Sequence, residues 1–246
     1  MELYDLAKVR ELMSRYGFSA SKGLGQNFLV SPALPGAIAD AAGLDDYGNV
    51  LEVGPGIGTL SLELAKRAKR VVAVELDRRL LPVLSETLAG YPNVTVVQGD
   101  ILKTDIPALC GRYFGEEPAV ACANLPYYIT APAVSALLES GCFRQVTVMV
   151  QKEVADRLCA QAGGADYGAF TLYVGYYAFA RRILKAPSHC FYPAPNVDSA
   201  VVALEVYERP PVAAEKRQLF QLIRAAFSTR RKTLLNCLYS RFSGSF

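Results

Sequence analysis

The 246-residue chain has no tryptophan, one histidine, three methionines and no Cys-x-x-Cys pair. A single histidine, His189, excludes a His-based metal cluster and argues against a His-dependent nucleophilic triad. The six cysteines (Cys110, Cys122, Cys142, Cys159, Cys190, Cys237) are scattered. Four lie in or beside apolar runs, so they read as small buried hydrophobes in a reducing cytosol. No apolar run approaches the length of a membrane span, and the start MELYDLAKVR carries charge where a signal peptide needs its apolar stretch. These absences leave a soluble, cytoplasmic, metal-free globular protein as the expectation. What is present suits a packed core: 52% of the residues are hydrophobic and 20% charged, which excludes a disordered chain.

The formal net charge of +3 conceals an asymmetry. Residues 209–246 hold eight basic residues and one acidic residue, whereas residues 1–208 hold 18 basic and 22 acidic. A mildly acidic body with a basic end fits a polyanionic partner, but it also fits a solvated helical face. Charge alone leaves both open.

Residues 2–17 carry Leu3, Leu6, Val9, Leu12, Met13 and Tyr16 at helical spacing, ended by Gly17. The loop SASKGLGQNFL follows, and then a helix from about Pro32 to Gly43. From Val50 the pattern changes to short, Val-rich runs: VLEV, VVAVE, VTVV, AVACA and VTVMVQ, most of them separated by helix-length segments. Runs that are apolar on both faces and alternate with helices predict a doubly wound parallel sheet covered on both sides. QKEVADRLCAQ reads as a helix broken by Gly163-Gly164, and SAVVALEVY as a strand. FTLYVGYYAFA is β-branched and aromatic enough for a strand but long enough for a buried helix, and periodicity leaves both open. After Pro210-Pro211, the segment from Lys216 has helical periodicity, with a break near Ser228.

The sharpest motif is Val50-Leu-Glu-Val-Gly54-Pro-Gly56-Ile-Gly58, a strand running into a glycine turn and then a helix. Such a turn brings a ligand against bare backbone. The third glycine comes one residue too early for a dinucleotide fingerprint. Glu-x-Gly-x-Gly-x-Gly instead resembles class I S-adenosylmethionine (SAM) methyltransferases; a ligand-free tight turn is the bland alternative. Glu75, at the end of the next strand, can accept from both ribose hydroxyls, while Asp77 suits a helix cap. Asp100, after the third strand, can accept from an adenine amino group.

Asn124-Leu125-Pro126-Tyr127 follows the fourth run and resembles the Asn/Asp-Pro-Pro-Tyr/Phe motif of adenine amino-methyltransferases. An exocyclic adenine amine is a poor nucleophile because its lone pair is delocalised. The Asn124 oxygen and a carbonyl near Leu125 or Pro126 could accept its two N–H groups, and Tyr127 could stack on a base taken out of its helix. In isolation a proline turn with a core tyrosine explains the tetrapeptide equally well.

The resemblance extends along most of the chain. Gln26-Asn-Phe-Leu29, Asn124-Leu-Pro-Tyr-Tyr-Ile129, Met149-Val-Gln-Lys-Glu-Val154, Phe191-Tyr-Pro-Ala-Pro-Asn-Val-Asp-Ser-Ala200 and Ala226-Phe-Ser-Thr-Arg-Arg-Lys-Thr-Leu-Leu235 are similar to the ribosomal RNA adenine dimethyltransferases, most of all the small-subunit type. That resemblance implies a Rossmann-like catalytic domain (residues 1–208) with a small helical, basic C-terminal domain (209–246). The latter looks incomplete, because the family usually continues for some tens of residues. It also implies that FTLYVGYYAFA is helical. The implied reaction is SAM-dependent dimethylation of N6 of two adjacent adenosines in the terminal hairpin of 16S rRNA, within an immature 30S subunit, by a monomer.

Carried over, the cofactor residues are Asn27, Leu29, Gly54, Gly56, Glu75, Leu76, Asp100, Ile101 and Asn124. The catalytic set is Asn124, Leu125, Pro126 and Tyr127. Lys22, Arg230, Arg231 and Lys232 would contact RNA phosphates, and Phe191 would wall the target base. Three alternatives stay open: a large-subunit (23S) dimethyltransferase of the macrolide-resistance type, a non-catalytic RNA-binding or ribosome-assembly factor, and, disfavoured by glycine spacing, a nicotinamide-dependent oxidoreductase.

Overall fold

The computed structural model describes residues 3–44, 48–229 and 232–242. Helix α1 (Leu6–Arg15) is capped by Asp5, whose side chain accepts the Ala7 N–H, and it buries Val9 and Leu12. A two-residue strand β1 (Phe28–Leu29) and helix α2 (Leu34–Asp40) follow. Five parallel strands come next: β2 (Asn49–Val53), β3 (Arg70–Glu75), β4 (Val94–Gln98), β5 (Ala119–Asn124) and β6 (Phe143–Gln151). Helices α3 (Thr59–Ala65), α4 (Leu81–Thr87), α5 (Ile106–Phe114) and α6 (Thr130–Glu139) connect them. After α7 (Lys152–Leu158) and α8 (Ala169–Tyr177) come β7 (Ala178–Ala186), β8 (Phe191–Tyr192) and β9 (Ser199–Val206). The sheet order is β4-β3-β2-β5-β6-β9-β7, and β9 lies antiparallel to both of its neighbours.

The period-two rule explains why these strands read as unbroken apolar runs. On β2, Leu51 and Val53 face one core with α5 and α6, while Val50 faces the other with α2 and α3. On β5, Ala119, Ala121 and Ala123 face the first core, and Val120 and Cys122 the second. All five Val-rich runs are strands of this sheet. The strand β4 departs from two-sided burial because it is an edge, and its residues are partly exposed.

FTLYVGYYAFA divides: Phe170–Tyr177 is helical, but Ala178-Phe179-Ala180 opens β7, a strand that neither the periodicity nor the resemblance gave. The helical expectation fails at Ala178 because the following residues, Ala178–Ala186, pair along β9. Of the cysteines, Cys110, Cys122 and Cys237 are buried, and Cys142, Cys159 and Cys190 partly so; no disulfide joins them among the described residues. Helices α9 (Lys216–Ala226) and α10 (Leu234–Phe242) end the described chain, split near Ser228 as the sequence indicates. Phe220 of α9 packs on Tyr173 and Tyr176 of α8, with ring centroids 5.0 and 5.2 Å apart. No helix among the described residues is long and apolar enough to cross a membrane.

Candidate active site

The strand order reverses direction at β2, whose neighbours are β3 and β5. In an open α/β sheet, the crevice beyond the carboxyl ends of the strands at such a point is where ligands bind. One open cleft lies there.

Its floor is the turn after β2. Gly54 and Gly56 have φ of +69° and +61°, which L side chains rarely adopt. A Cβ on Gly54 would meet nothing within 4 Å, so its backbone is bare towards the cleft. A Cβ on Gly56 would come 3.3 Å from the Phe28 ring, which packs directly on the turn. Glu75, at the tip of β3, is 5% exposed and binds two amides: Gly56 N–H donates to Oε2 at 3.1 Å and Asp77 N–H to Oε1 at 2.7 Å. Burial raises its pKa, and those two amides offset part of the rise. Asp77 caps the next turn by accepting from the Arg79 N–H, as its position in the sequence indicates, and the Arg79 guanidinium holds its carboxyl down at about 2.

Asp100 accepts from its own loop, at Leu102 N–H, 3.0 Å away. At the tip of β5, Asn124 is partly buried and its Nδ2 donates to the Asn27 carbonyl at 3.3 Å, leaving Oδ1 free to accept. Leu125 N–H donates to the Met149 carbonyl at 3.2 Å, which fixes the Leu125-Pro126 backbone. The Leu125 side chain itself is buried, so any contact it makes with a ligand runs through its backbone. The Tyr127 hydroxyl bonds Ser199 Oγ on β9 at 2.8 Å.

The front wall is the loop before β1. Gln26 donates to Asp77 at 3.0 Å, and β1 pairs antiparallel with β8, with Phe28 opposite Tyr192 and Leu29 opposite Phe191. Asn27, Leu29, Gly54, Gly56, Glu75, Leu76, Asp100, Ile101, Asn124, Leu125, Pro126, Tyr127 and Phe191 all line this one cleft. Lys22 opens a short turn (Lys22–Leu24), with its side chain outside what the structure describes, and the exposed Lys232 is not among the lining residues. Arg230 and Arg231 lie outside the described residues.

Sequence reasoning left Glu52 without a role, although an acid inside an apolar strand is a signal in itself. Glu52 is 1% exposed and lines the cleft. Its Oε2, with Thr59 Oγ1 and Ser61 Oγ, has no hydrogen-bond partner among the described residues. Burial lifts its pKa to about 8; the Ser61 hydroxyl lowers it in part, without a bond of normal geometry, and the Glu75 charge adds to the rise. The carboxyl groups of Glu75 and Asp100, the bare glycine backbone and the unsatisfied buried oxygen of Glu52 fit a ligand that is cationic and carries hydroxyl and amino donors.

The chain is similar to known proteins in sequence and fold. Residues 17–246 match the family model described as ribosomal RNA adenine dimethylase. The chain is 48% identical over 234 residues to the Ribosomal RNA small subunit methyltransferase A of Geobacillus thermodenitrificans, covering 94% of this chain and 80% of that protein. Among solved structures it is similar to the 23S rRNA methyltransferase ErmE, with a TM-score of 0.73 and 29% identity over 87% of this chain and 84% of that one. It is also similar to a dimethyladenosine transferase from Plasmodium falciparum, with a TM-score of 0.72 and 30% identity over 86% and 74%.

Proposed function

Since the chain belongs to the ribosomal RNA adenine dimethylase family, we propose that it dimethylates N6 of two adjacent adenosines in the terminal hairpin of 16S rRNA, with SAM as methyl donor. The substrate is an immature 30S subunit and the enzyme acts as a monomer. The observation that carries this reading is the meeting of the glycine turn, Glu75, Asp100 and the Asn124–Tyr127 tetrapeptide in one cleft. We assign the catalytic work to residues 1–208 and RNA contact to the basic segment 209–246 and Lys22.

When bound, SAM supplies an electrophilic methyl group on a sulfonium, and the departing thioether is neutral. Glu75 would hold the ribose, Asp100 the adenine amine, and Leu76 and Ile101 the ring faces, with Gly54 beneath the methionine part and Asn27 and Leu29 closing the front. Asn124 Oδ1 accepts one N–H of the target amine and the Leu125 or Pro126 carbonyl the other, drawing the nitrogen towards a tetrahedral, more nucleophilic shape. Tyr127 stacks on the target base, and Phe191 backs the wall around it. A neutral nucleophile calls for no strong base, so positioning and electrostatics do most of the work. The proton is released to water after transfer.

Radiolabelled methyl transfer to 30S and 50S particles from cells lacking this enzyme tests the reading. Label recovered as dimethyladenosine in 16S RNA is the expected result. Label in 23S RNA would favour the ErmE-like alternative, and no label in either would overturn the enzyme reading.

Two variants probe the assignments. Glu75→Ala removes the ribose acceptor and strands the Gly56 and Asp77 amides, each a loss of about 1–3 kcal/mol. SAM affinity measured by calorimetry is expected to fall about a hundredfold, with Glu75→Gln in between. Replacing Arg230, Arg231 and Lys232 with alanine should weaken RNA binding and reduce its log–log salt slope by about 2–3, if each touches a phosphate. An unchanged slope would refute that role.

A further inference from the structure

The tetrapeptide is followed by a second tyrosine, Tyr128, whose surroundings differ from those of Tyr127 in every respect. Tyr127 is partly buried and tied through its hydroxyl to Ser199. Phe191 is 4% exposed. Both rings belong to the inner wall. Tyr127–Ile129 is a turn of 3₁₀ helix, in which successive side chains point about 120° apart. When Tyr127 turns inward to Ser199, Tyr128 turns out to the mouth, where it is 55% exposed. Its ring still has a fixed seat: a Cβ on Gly25 would lie 3.4 Å from Tyr128 Cδ1, so the ring edge packs on the front loop.

We propose that Tyr128 is a stacking platform at the lip of the cleft, holding the base of a nucleotide that flanks the target adenosine. The inference rests on the reading that this cleft methylates an adenosine in RNA. Among the described residues, the Tyr128 hydroxyl has no hydrogen-bond partner and its ring meets no other aromatic ring or cation. An aromatic face held in place yet left open to water is what an unstacked base needs, and base–aromatic stacking tolerates any base because every base has a π-face. A phosphate would be out of place there. The described lining carries the carboxyls of Glu75 and Asp100, so the lip favours the neutral part of a nucleotide over its charged part.

The test uses the full chain and an RNA hairpin with 2-aminopurine on either side of the target adenosine. Wild type and Tyr128→Phe are expected to quench 2-aminopurine emission on binding, and Tyr128→Ala to lose that quench. In parallel, KM for 30S particles should rise about tenfold in Tyr128→Ala, with the effect in KM rather than kcat and with SAM affinity unchanged. Tyr128→Phe should restore KM, because the ring and not the hydroxyl makes the contact. A quench retained in Tyr128→Ala, no quench in wild type, or failure of the Phe variant would each overturn the proposal. A wild type that quenches but transfers no methyl group would sink the proposed reaction and leave the Tyr128 contact standing.

Discussion

Asn124→Ala is expected to slow methyl transfer about a thousandfold while barely shifting the unfolding midpoint. The asymmetry follows from what the side chain touches. Its one bond inside the protein, Nδ2 to the Asn27 carbonyl at 3.3 Å, is long and partly exposed, worth about 1 kcal/mol at most. Its Oδ1 is the acceptor proposed for the target amine, and an acceptor fixed on the end of a buried strand loses nothing to reorganisation. Asn124→Asp keeps an acceptor but gives up the donor and sets a carboxylate against the Asn27 carbonyl, so an intermediate loss is expected. Single-turnover transfer at saturating SAM, with thermal unfolding alongside, separates these effects; a near-normal rate in Asn124→Ala would refute the assignment.

Glu52→Gln is expected to stabilise the protein increasingly as pH rises from about 5 to about 9. The carboxyl titrates near its ordinary value when unfolded and at about 8 when folded, mainly because burial penalises the charge. Between those values the folded state holds a proton that the unfolded state has released, so stability falls as pH rises through this window. Below the window both states are protonated and the site contributes no slope. A shift of this size corresponds to about 4–5 kcal/mol, lost in full above pH 8. Glutamine keeps the shape and never ionises, so the variant's curve should flatten by that amount, with the same-signed contributions of Glu75 and, towards the alkaline end, of the buried thiols remaining. Parallel denaturation curves for the two proteins across this range would show that Glu52 is not held protonated.

The central sheet was legible because burial on both faces removes polar residues from a parallel strand, and the Val-rich runs announce it. β7 was not, because Arg181 and Lys185 are exposed on an outer strand, Arg182 pairs with the distant Asp156, and its first residues merge with the apolar helix before it. The cleft residues were legible where a chemical type stands at a strand tip: Glu75, Asp100, Asn124. What the sequence hid are the partnerships across long separations. Gln26 with Asp77, Asn124 with Asn27 and Tyr127 with Ser199 join residues 51, 97 and 72 positions apart, and no local pattern encodes them. Glu52 was visible as a residue but not as an orphan, because being unsatisfied is a property of surroundings.

The pairing of β1 with β8 sets an order of events for a chain emerging during synthesis. A nascent chain that has passed Tyr127 already contains the glycine turn, Glu75, Asp100 and the tetrapeptide. It still lacks Phe191 and Tyr192, the partners that pin Leu29 and Phe28 across the front of the cleft. Contacts of such separation close late. Cofactor competence is therefore expected to arrive only after nearly the whole catalytic region has been made, so partial chains hold most of the site's chemistry without its enclosure.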